Sequence, residues 1–389
     1  MLEQKLKQLR LAQGWSLEEL VARIGGAVTK QAISKYELGK AQPSAKILNK
    51  LAAAFRVKTV QLLAVPQYSV EFIAYRKKSG LAKKEQVRIE NCVREAMEQR
   101  LRVQNLVYGC KPELAVPKFQ INRLEDVESV ADQIRSKWKL GRDQLSNVTA
   151  ILEDNFVHVV EIEAHEKFDG IAAIAYEGKE VKGFAVAVRK GIPGDRQRLN
   201  LAHELGHLVL KVSNSVDEEK AAFRFGGAFL APQEWVKREV GSHRTAIDAQ
   251  ELIILKKKLG MSIQAILRRL SDLGIINNST YSAWCRTISA MGWRRQEPYQ
   301  LAVEKPEWLK QNVYRAFAEG ILNQKESEVL LGERIDDKTP LSLQRMRSFM
   351  KLSIEERRRI LADQAEKAVT HYTPDASRDA WQTGDFIEQ

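Results

Sequence analysis

The sequence predicts an α+β protein that is predominantly helical, with an all-α bundle first, a domain with a small sheet next and further helices last. Two observations favour this fold class. Apolar residues recur at helical spacing, between capping residues and glycines, through most of 1–66 and 236–335. Short apolar runs separated by glycines, typical of strands, lie within 156–188. The 389 residues exceed one typical domain and suffice for two or three.

The charge balance favours an anionic partner. The chain has 62 lysines and arginines against 50 acidic residues, a net charge of +12. Such an excess is typical of nucleic-acid binding, although charge also serves solubility. Residues 1–66 hold 11 of the basic residues and only four acidic ones. The excess therefore concentrates in the first segment.

The three cysteines indicate neither a disulfide framework nor a thiolate zinc site. Cys92, Cys110 and Cys285 are odd in number and show no C-x-x-C spacing. No secretory segment and no membrane-length apolar run occurs in the sequence. These features predict a soluble protein of the reducing cytoplasm with no membrane association.

Residues 1–66 predict a helix-turn-helix bundle. Ser16 and Glu19 form a capping box that opens a helix, the pair Gly25-Gly26 stops it, and Thr29 can cap the next. A short helix, a glycine-containing turn and a second helix with a polar face is the arrangement that enters the DNA major groove. A solvated helical bundle without DNA is the alternative.

The stretches Gly14–Leu20 and Val28–Lys40 resemble the XRE family of helix-turn-helix regulators over this whole segment. The resemblance implies that the protein binds double-stranded DNA. It also implies a set of DNA-facing positions, namely Thr29, Lys30, Gln31, Ser34 and Lys35. A homodimer is expected because paired heads read two half-sites.

Residues 67–122 are predicted to form a helical linker. Helical spacing extends from Glu71 to Val107, and prolines between 111 and 117 mark a boundary. The basic runs of this segment either extend the contact of the protein with DNA phosphates or form a solvated helix face.

Residues 123–235 are predicted to form a separate domain with a small sheet. Apolar runs at Phe156–Ile162, Ile171–Tyr176 and Gly183–Val188 indicate three strands, expected to form an antiparallel sheet with Asp169-Gly170 as a turn. His158, within the first strand, and His165 are interpreted as structural or solvated.

The motif His203-Glu204-Leu205-Gly206-His207 lies on an amphipathic helix-period run, so both imidazoles project from one face and can hold one metal ion. Glu204 is placed to take a proton from a metal-activated water and deliver it to a leaving amine. An ordinary buried helix with two hydrogen-bonded histidines is the alternative. Catalytic zinc needs a third protein ligand, for which a downstream carboxylate at 217–219 is the candidate.

The motif, with Glu219-x-x-Ala222 and Leu230-Ala231-Pro232 downstream, resembles the ImmA/IrrE metallopeptidase family. The resemblance implies a zincin-like, gluzincin-type zinc site in which His203, His207 and Glu219 bind zinc and Glu204 is the general base. Phe223 stands where the family usually has Asn, and Ala231 where it usually has Met. These departures leave Glu218 open as the third ligand.

The C-terminal region is predicted as helices over 236–335, followed by a tail over 336–389. Residues 260–276 superficially resemble a second helix-turn-helix but are interpreted as packing and groove support. The tail, with a helix from Leu352, is similar to the arm by which some antitoxins wrap a toxin. An appended helix with a frayed end is the alternative.

These features together predict a DNA-binding regulator with a zinc endopeptidase that cleaves a protein partner, such as a repressor. The alternative is a non-enzymatic repressor and antitoxin that uses the peptidase fold as a scaffold.

Overall fold

The structure is a computed structural model that describes residues 2–55, 57, 59–63, 67–73, 81–109, 114, 116–335, 349–350 and 352–369. Cys92 and Cys285 are free thiols, whereas Cys110 lies outside the described residues. Among the described helices, none is both long and apolar enough to cross a membrane. The predicted tail 336–389 is described only at 349–350 and 352–369.

The N-terminal head is a five-helix bundle. Its helices are α1 Leu2–Ala12, α2 Leu17–Arg23, α3 Lys30–Glu37, α4 Ala45–Phe55 and α5 Thr59–Leu63. The predicted capping box at Ser16 and Glu19 is present at the start of α2. Arg10 on α1 donates two hydrogen bonds of 2.6 and 2.7 Å to the Glu37 carboxylate, and so fastens the C-terminal end of α3 to the core.

The segment after the head contains a strand that the sequence analysis missed. Strand β1, Ser69–Ile73, pairs with a later strand, and helix α6 spans only Lys83–Tyr108. The prediction of a helix starting at Glu71 is therefore wrong at its beginning. Val70 and Phe72 both pack against the core beneath the sheet, a period-two pattern that suits a strand. Helix α6 lies on the same core through Ile89, Val93, Met97 and Leu101.

The sheet has four strands in the order β1-β4-β5-β3. The central strands are β3 Val157–Ile162, β4 Gly170–Glu177 and β5 Glu180–Arg189, which confirms the three predicted strands. The expectation of an antiparallel sheet is wrong for one pair, because β3 runs parallel to β5. After β3 the chain crosses to the far side of β5 and enters β4 there. A mixed sheet results, with antiparallel pairs β4–β5 and β1–β4.

Both faces of this sheet are buried, which sandwiches it between helices. Ala173, Ala175, Ala185 and Ala187 face α6, and the alternate residues of the same strands face the main core. A second, parallel pair joins β2 Phe119–Ile121 to β6 Leu210–Val212.

Helices build the rest of the main core. They are α7 Asp126–Lys137, α8 Val148–Asp154, α9 Gly194–Val209, α10 Glu218–Leu230, α11 Gln233–Val240, α12 Ala249–Leu259, α13 Ile263–Asp272 and α14 Asn278–Ala290. Three more follow, α15 Trp308–Ala318, α16 Gln324–Leu331 and α17 Ile354–Val369. The apolar face of α13 is buried in the main core, as expected if residues 260–276 have a packing role.

A shielded ion pair ties α7 to α13. The Glu128 carboxylate accepts two hydrogen bonds of 2.7 Å from Arg269, whose side chain is 2% exposed, and one of 3.1 Å from Arg224. Burial raises the pKa of Glu128, but the two guanidinium groups outweigh it, so the pKa lies below its ordinary value.

We expect Glu128→Gln to lower the free energy of unfolding by about 3 kcal/mol, because it leaves the Arg269 charge buried and uncompensated. A carboxyl group whose pKa is lower in the folded than in the unfolded protein stabilises the fold fully above its unfolded pKa of about 4.3, and this contribution is lost as pH falls through the folded-state pKa. The difference in free energy of unfolding between Glu128→Gln and the unmodified protein, measured with urea, should therefore shrink as the pH falls below about 4.3. Glu234→Gln, which removes an ion pair between side chains 64% exposed, is the control and should cost less than about 1 kcal/mol. Equal destabilisation by both variants would contradict the assignment.

Candidate metal centre

Helix α9 carries the HELGH motif through the middle of the molecule. It begins after Pro193 and is buried along its length except at Arg196 and Leu199. The sheet lies on one side of it and α10 on the other. Because both sides are packed, the side chains of His203, Glu204 and His207 are held in fixed positions, each no more than 2% exposed.

The side chains of His203, His207 and Glu219 lie close together. The two Nε2 atoms lie 3.2 Å apart, and each lies 3.6 Å from an oxygen of the Glu219 carboxylate. Zn–N and Zn–O bonds of about 2.0–2.1 Å in a tetrahedron put neighbouring donors roughly 3.3–3.4 Å apart. Two imidazole nitrogens and one carboxylate at this spacing fit a zinc ion and leave the fourth tetrahedral position to water or substrate.

The carboxylates of Glu218 and Glu219 approach different atoms of His207. Glu219 faces Nε2, the atom that also faces His203, whereas Glu218 lies 3.5 Å from Nδ1 on the other side of the ring. Metal-binding histidines are commonly oriented by a carboxylate near the second ring nitrogen. The geometry thus favours Glu219 as the ligand and gives Glu218 an orienting position.

Two glycines let α9 and α10 approach closely enough for this convergence. A Cβ atom at Gly206 would lie 3.1 Å from the Cα of Ala222, and one at Gly226 would lie 3.2 Å from the amide nitrogen of His203. Gly206, a poor helix former, is therefore explained by the crossing of the two helices rather than by the metal itself.

Glu204 occupies a space that exists because residue 170 is glycine. A Cβ atom at Gly170 would lie 2.8 Å from Oε1 and 2.9 Å from Cγ of Glu204. The predicted turn at Asp169-Gly170 is wrong, because Gly170 is the first residue of β4. Asn200 on α9 donates a hydrogen bond of 3.3 Å to the Asp169 carbonyl and holds this strand end beside the helix.

The N-terminal half of α9 is held by contacts that local sequence patterns could not reveal. The Arg198–Glu304 pair, at 2.8 Å, joins α9 to an extended segment more than 100 residues later. That segment also exchanges two hydrogen bonds, of 2.8 and 2.9 Å, between Gln197 and the backbone of Glu304. Lys256 lies under the helix between Asp195 and Glu297.

His158 is placed as its structural interpretation expects. Its ring is fully buried, and Nε2 lies 3.0 Å from Oε1 of Gln104. Burial lowers the pKa of His158 to about 3, and the nearby Arg100 charge acts in the same direction. It is neutral at physiological pH and lies outside the metal centre.

The five positions implied as DNA-facing lie on or beside α3, which follows α2 after a turn with positive φ at Gly25 and Gly26. Thr29, Lys30, Gln31 and Lys35 are exposed and Ser34 is half-buried. The Thr29 hydroxyl accepts the Ala32 amide as an N-cap, and Lys30 pairs with Glu18.

Comparison with known proteins supports both halves of this description. Residues 6–62 match a family model described as helix-turn-helix, and residues 187–271 match one described as an IrrE N-terminal-like domain. A curated relative is the SPbeta prophage-derived uncharacterized HTH-type transcriptional regulator YonR of Bacillus subtilis (strain 168). It is 38% identical over 63 residues, which span 16% of this chain and 56% of that protein.

The chain therefore carries an XRE-type helix-turn-helix domain at its N-terminus and an IrrE/ImmA-like domain of a metallopeptidase family after it. These matches confirm the two principal resemblances. The weaker resemblance of the tail to an antitoxin arm stays a prediction.

Neighbouring glutamates offer a matched test of the metal centre. We expect Glu219→Gln to weaken zinc binding by more than about a hundredfold, and Glu218→Gln by only about tenfold, the lower end of the loss typical of an orienting carboxylate, because only Glu219 faces both Nε2 atoms. Competition with a chromophoric chelator measures both affinities. Stronger loss in Glu218→Gln would reverse the assignment of the two carboxylates.

Proposed function

We propose that the protein is a DNA-binding transcriptional regulator with a zinc-dependent endopeptidase that cleaves a protein partner. The observation that carries the proposal is the tetrahedral spacing of the His203, His207 and Glu219 donors beside the buried carboxylate of Glu204. A generic buried helix would not require three metal-binding side chains to converge from two helices. A repressor is the partner that best suits a protease joined to a DNA-binding head.

The chain's own residues would share the chemistry as follows. His203, His207 and Glu219 hold the metal, and Glu218 orients the ring of His207. Zinc bound there would polarise the scissile carbonyl and lower the pKa of water. Glu204 accepts a proton on its carboxylate and passes it to the leaving amine, and Gly170 keeps that carboxylate in place.

Glu204→Gln keeps the size of the side chain but removes the base, so it should retain zinc and lose cleavage by at least about a hundredfold. The measurement is the appearance of new protein N-termini in an extract of the native host treated with the full-length protein. Glu234→Gln, remote and exposed, should cleave as the unmodified protein does. Chelation of zinc should also stop cleavage. Cleavage at an unchanged rate by Glu204→Gln would eliminate the proposed base.

Retained zinc with no cleavage of any host protein would instead favour the non-enzymatic repressor and antitoxin. Much of the tail on which the toxin hypothesis depends lies outside the described residues. A catalytically inert metal centre would have a structural role in that case.

The head would bind double-stranded DNA through α3, in a homodimer that reads two half-sites. We expect Gln31→Ala to weaken binding to the specific operator by about 1–3 kcal/mol while changing non-specific binding little, because glutamine reads base edges. Lys7→Ala, which removes an exposed charge from α1, is the comparison. It should change the affinity for all DNA sequences by the same factor, if it changes it at all. Fluorescence anisotropy with operator and scrambled duplexes separates these effects. An unchanged preference for the operator in Gln31→Ala would remove this residue from the recognition surface.

A further inference from the structure

A cleft of about 610 Å³ opens directly beside the metal centre. Phe223 forms part of its wall, and the same ring lies 4.1 Å, centroid to centroid, from the ring of His203. Asn200 and Asp169, which flank the position of Glu204, line it as well. A peptide held at the metal centre would therefore pass through this cleft.

The charges that face the opening of the cleft are arginines. The side chains of Arg196 and Arg268 are 53% and 58% exposed, and Arg294 and Arg295 are also exposed. The acidic residues of the lining lie deeper, with side chains of Asp195, Glu297 and Asp169 only 8%, 12% and 18% exposed.

These deeper acids already have cationic partners within the protein. Lys256 binds both Asp195 and Glu297, and Arg196 binds Asp169 at 2.9 Å. Glu218 and Glu219 are nearer the metal centre, where a divalent cation would offset their charge. Arg268 in turn pairs with Asp272 at 3.0 Å. Five cationic side chains line the cleft against three acidic ones, and this net charge of +2 attracts acidic side chains.

A second, smaller cavity of about 270 Å³ adjoins the cleft and shares Leu199, Phe223 and Ala265 with it. Leu124 and Met261 complete its apolar lining, with Gly227 beside them. The volume lies below that of most small-molecule sites, which suits one large apolar side chain.

We infer that this cleft binds an acidic peptide segment that inserts one large apolar side chain into the smaller cavity, with its carboxylates against the arginine rim. The inference rests on the proposed endopeptidase function and names its substrate class. A DNA strand is the competing ligand for an arginine rim, but it has no aliphatic side chain for the adjoining cavity.

Binding to full-length, zinc-loaded Glu204→Gln tests the inference without requiring cleavage. The probe is a fluorescein-labelled peptide with one leucine among glutamates and serines, compared by anisotropy with a peptide whose glutamates are glutamines and another whose leucine is serine. We expect both replacements to weaken binding about tenfold, and added salt to weaken only the glutamate-containing peptides.

Charge reversal on the protein locates the contact. Arg294→Glu with Arg295→Glu should weaken binding of the acidic probe by more than about tenfold. Arg358→Glu with Arg359→Glu makes the same charge change at two adjacent exposed arginines of α17, outside the cleft lining. This control should change the affinity for the acidic probe by no more than about twofold. Ala265→Phe places a large side chain where the cleft and the smaller cavity meet. It should weaken binding of the leucine peptide and not that of the serine peptide.

Equal losses in the two charge-reversed proteins, or equal binding of the glutamine peptide, would overturn the inference. Displacement of the probe by a scrambled DNA duplex as readily as by unlabelled peptide would also overturn it, by making the rim a general polyanion surface. If the probe binds as expected and the unmodified protein cleaves no host protein, the proposed function fails while the ligand class stands. If a host protein is cleaved but the probe does not bind as expected, the proposed function stands and the ligand class fails.

Discussion

The close crossing of α9 and α10 is the constraint on which the metal centre depends. Gly206 faces the backbone of Ala222, and Gly226 faces the amide of His203, so each helix presents a glycine where the other approaches. A methyl group at either position would require the backbones to separate by several tenths of an ångström. His203 and His207 come from one helix and Glu219 from the other, so such a separation would act directly on the spacing of the three donors.

The sheet has the corresponding role for the carboxylate of Glu204. Gly170 begins β4 against that side chain, and Asn200 on α9 binds the carbonyl of the preceding residue. The proposed metal donors are therefore positioned by helix–helix packing and the proposed base by helix–strand packing. Two separate contacts of α9 control these two parts of the proposed centre, which explains why the helix is buried at all positions but Arg196 and Leu199 although it carries charged and polar residues.

Local patterns and the family resemblance predict the residues of the proposed centre but not the contacts that hold them. His203, Glu204 and His207 follow from a spacing on adjacent helical turns, and Glu219, twelve residues after His207, follows from the family resemblance. Helical or strand periodicity does not report contacts between distant parts of the chain. The role of Gly170 and the pairing of Arg198 with Glu304 depend on such contacts. For the same reason the parallel pairing of β3 with β5 was missed, although each strand was predicted individually.

Helix α6 contacts both the sheet that contains β1 and the N-terminal head. One side of the helix packs against the sheet that β1 completes, and near its middle Glu95 and Glu98 bind Lys5 of the head at 3.0 and 2.6 Å. Burial lowers the pKa of Lys5, but the two carboxylates outweigh it and raise the pKa above its ordinary value, so the lysine stays charged. Either carboxylate alone would leave less compensation for a cation that is only 5% exposed. We therefore propose that the described residues within 67–122, namely β1 and α6, belong structurally to the sheet domain and that α6 forms the surface on which the head docks, rather than a spacer between the two.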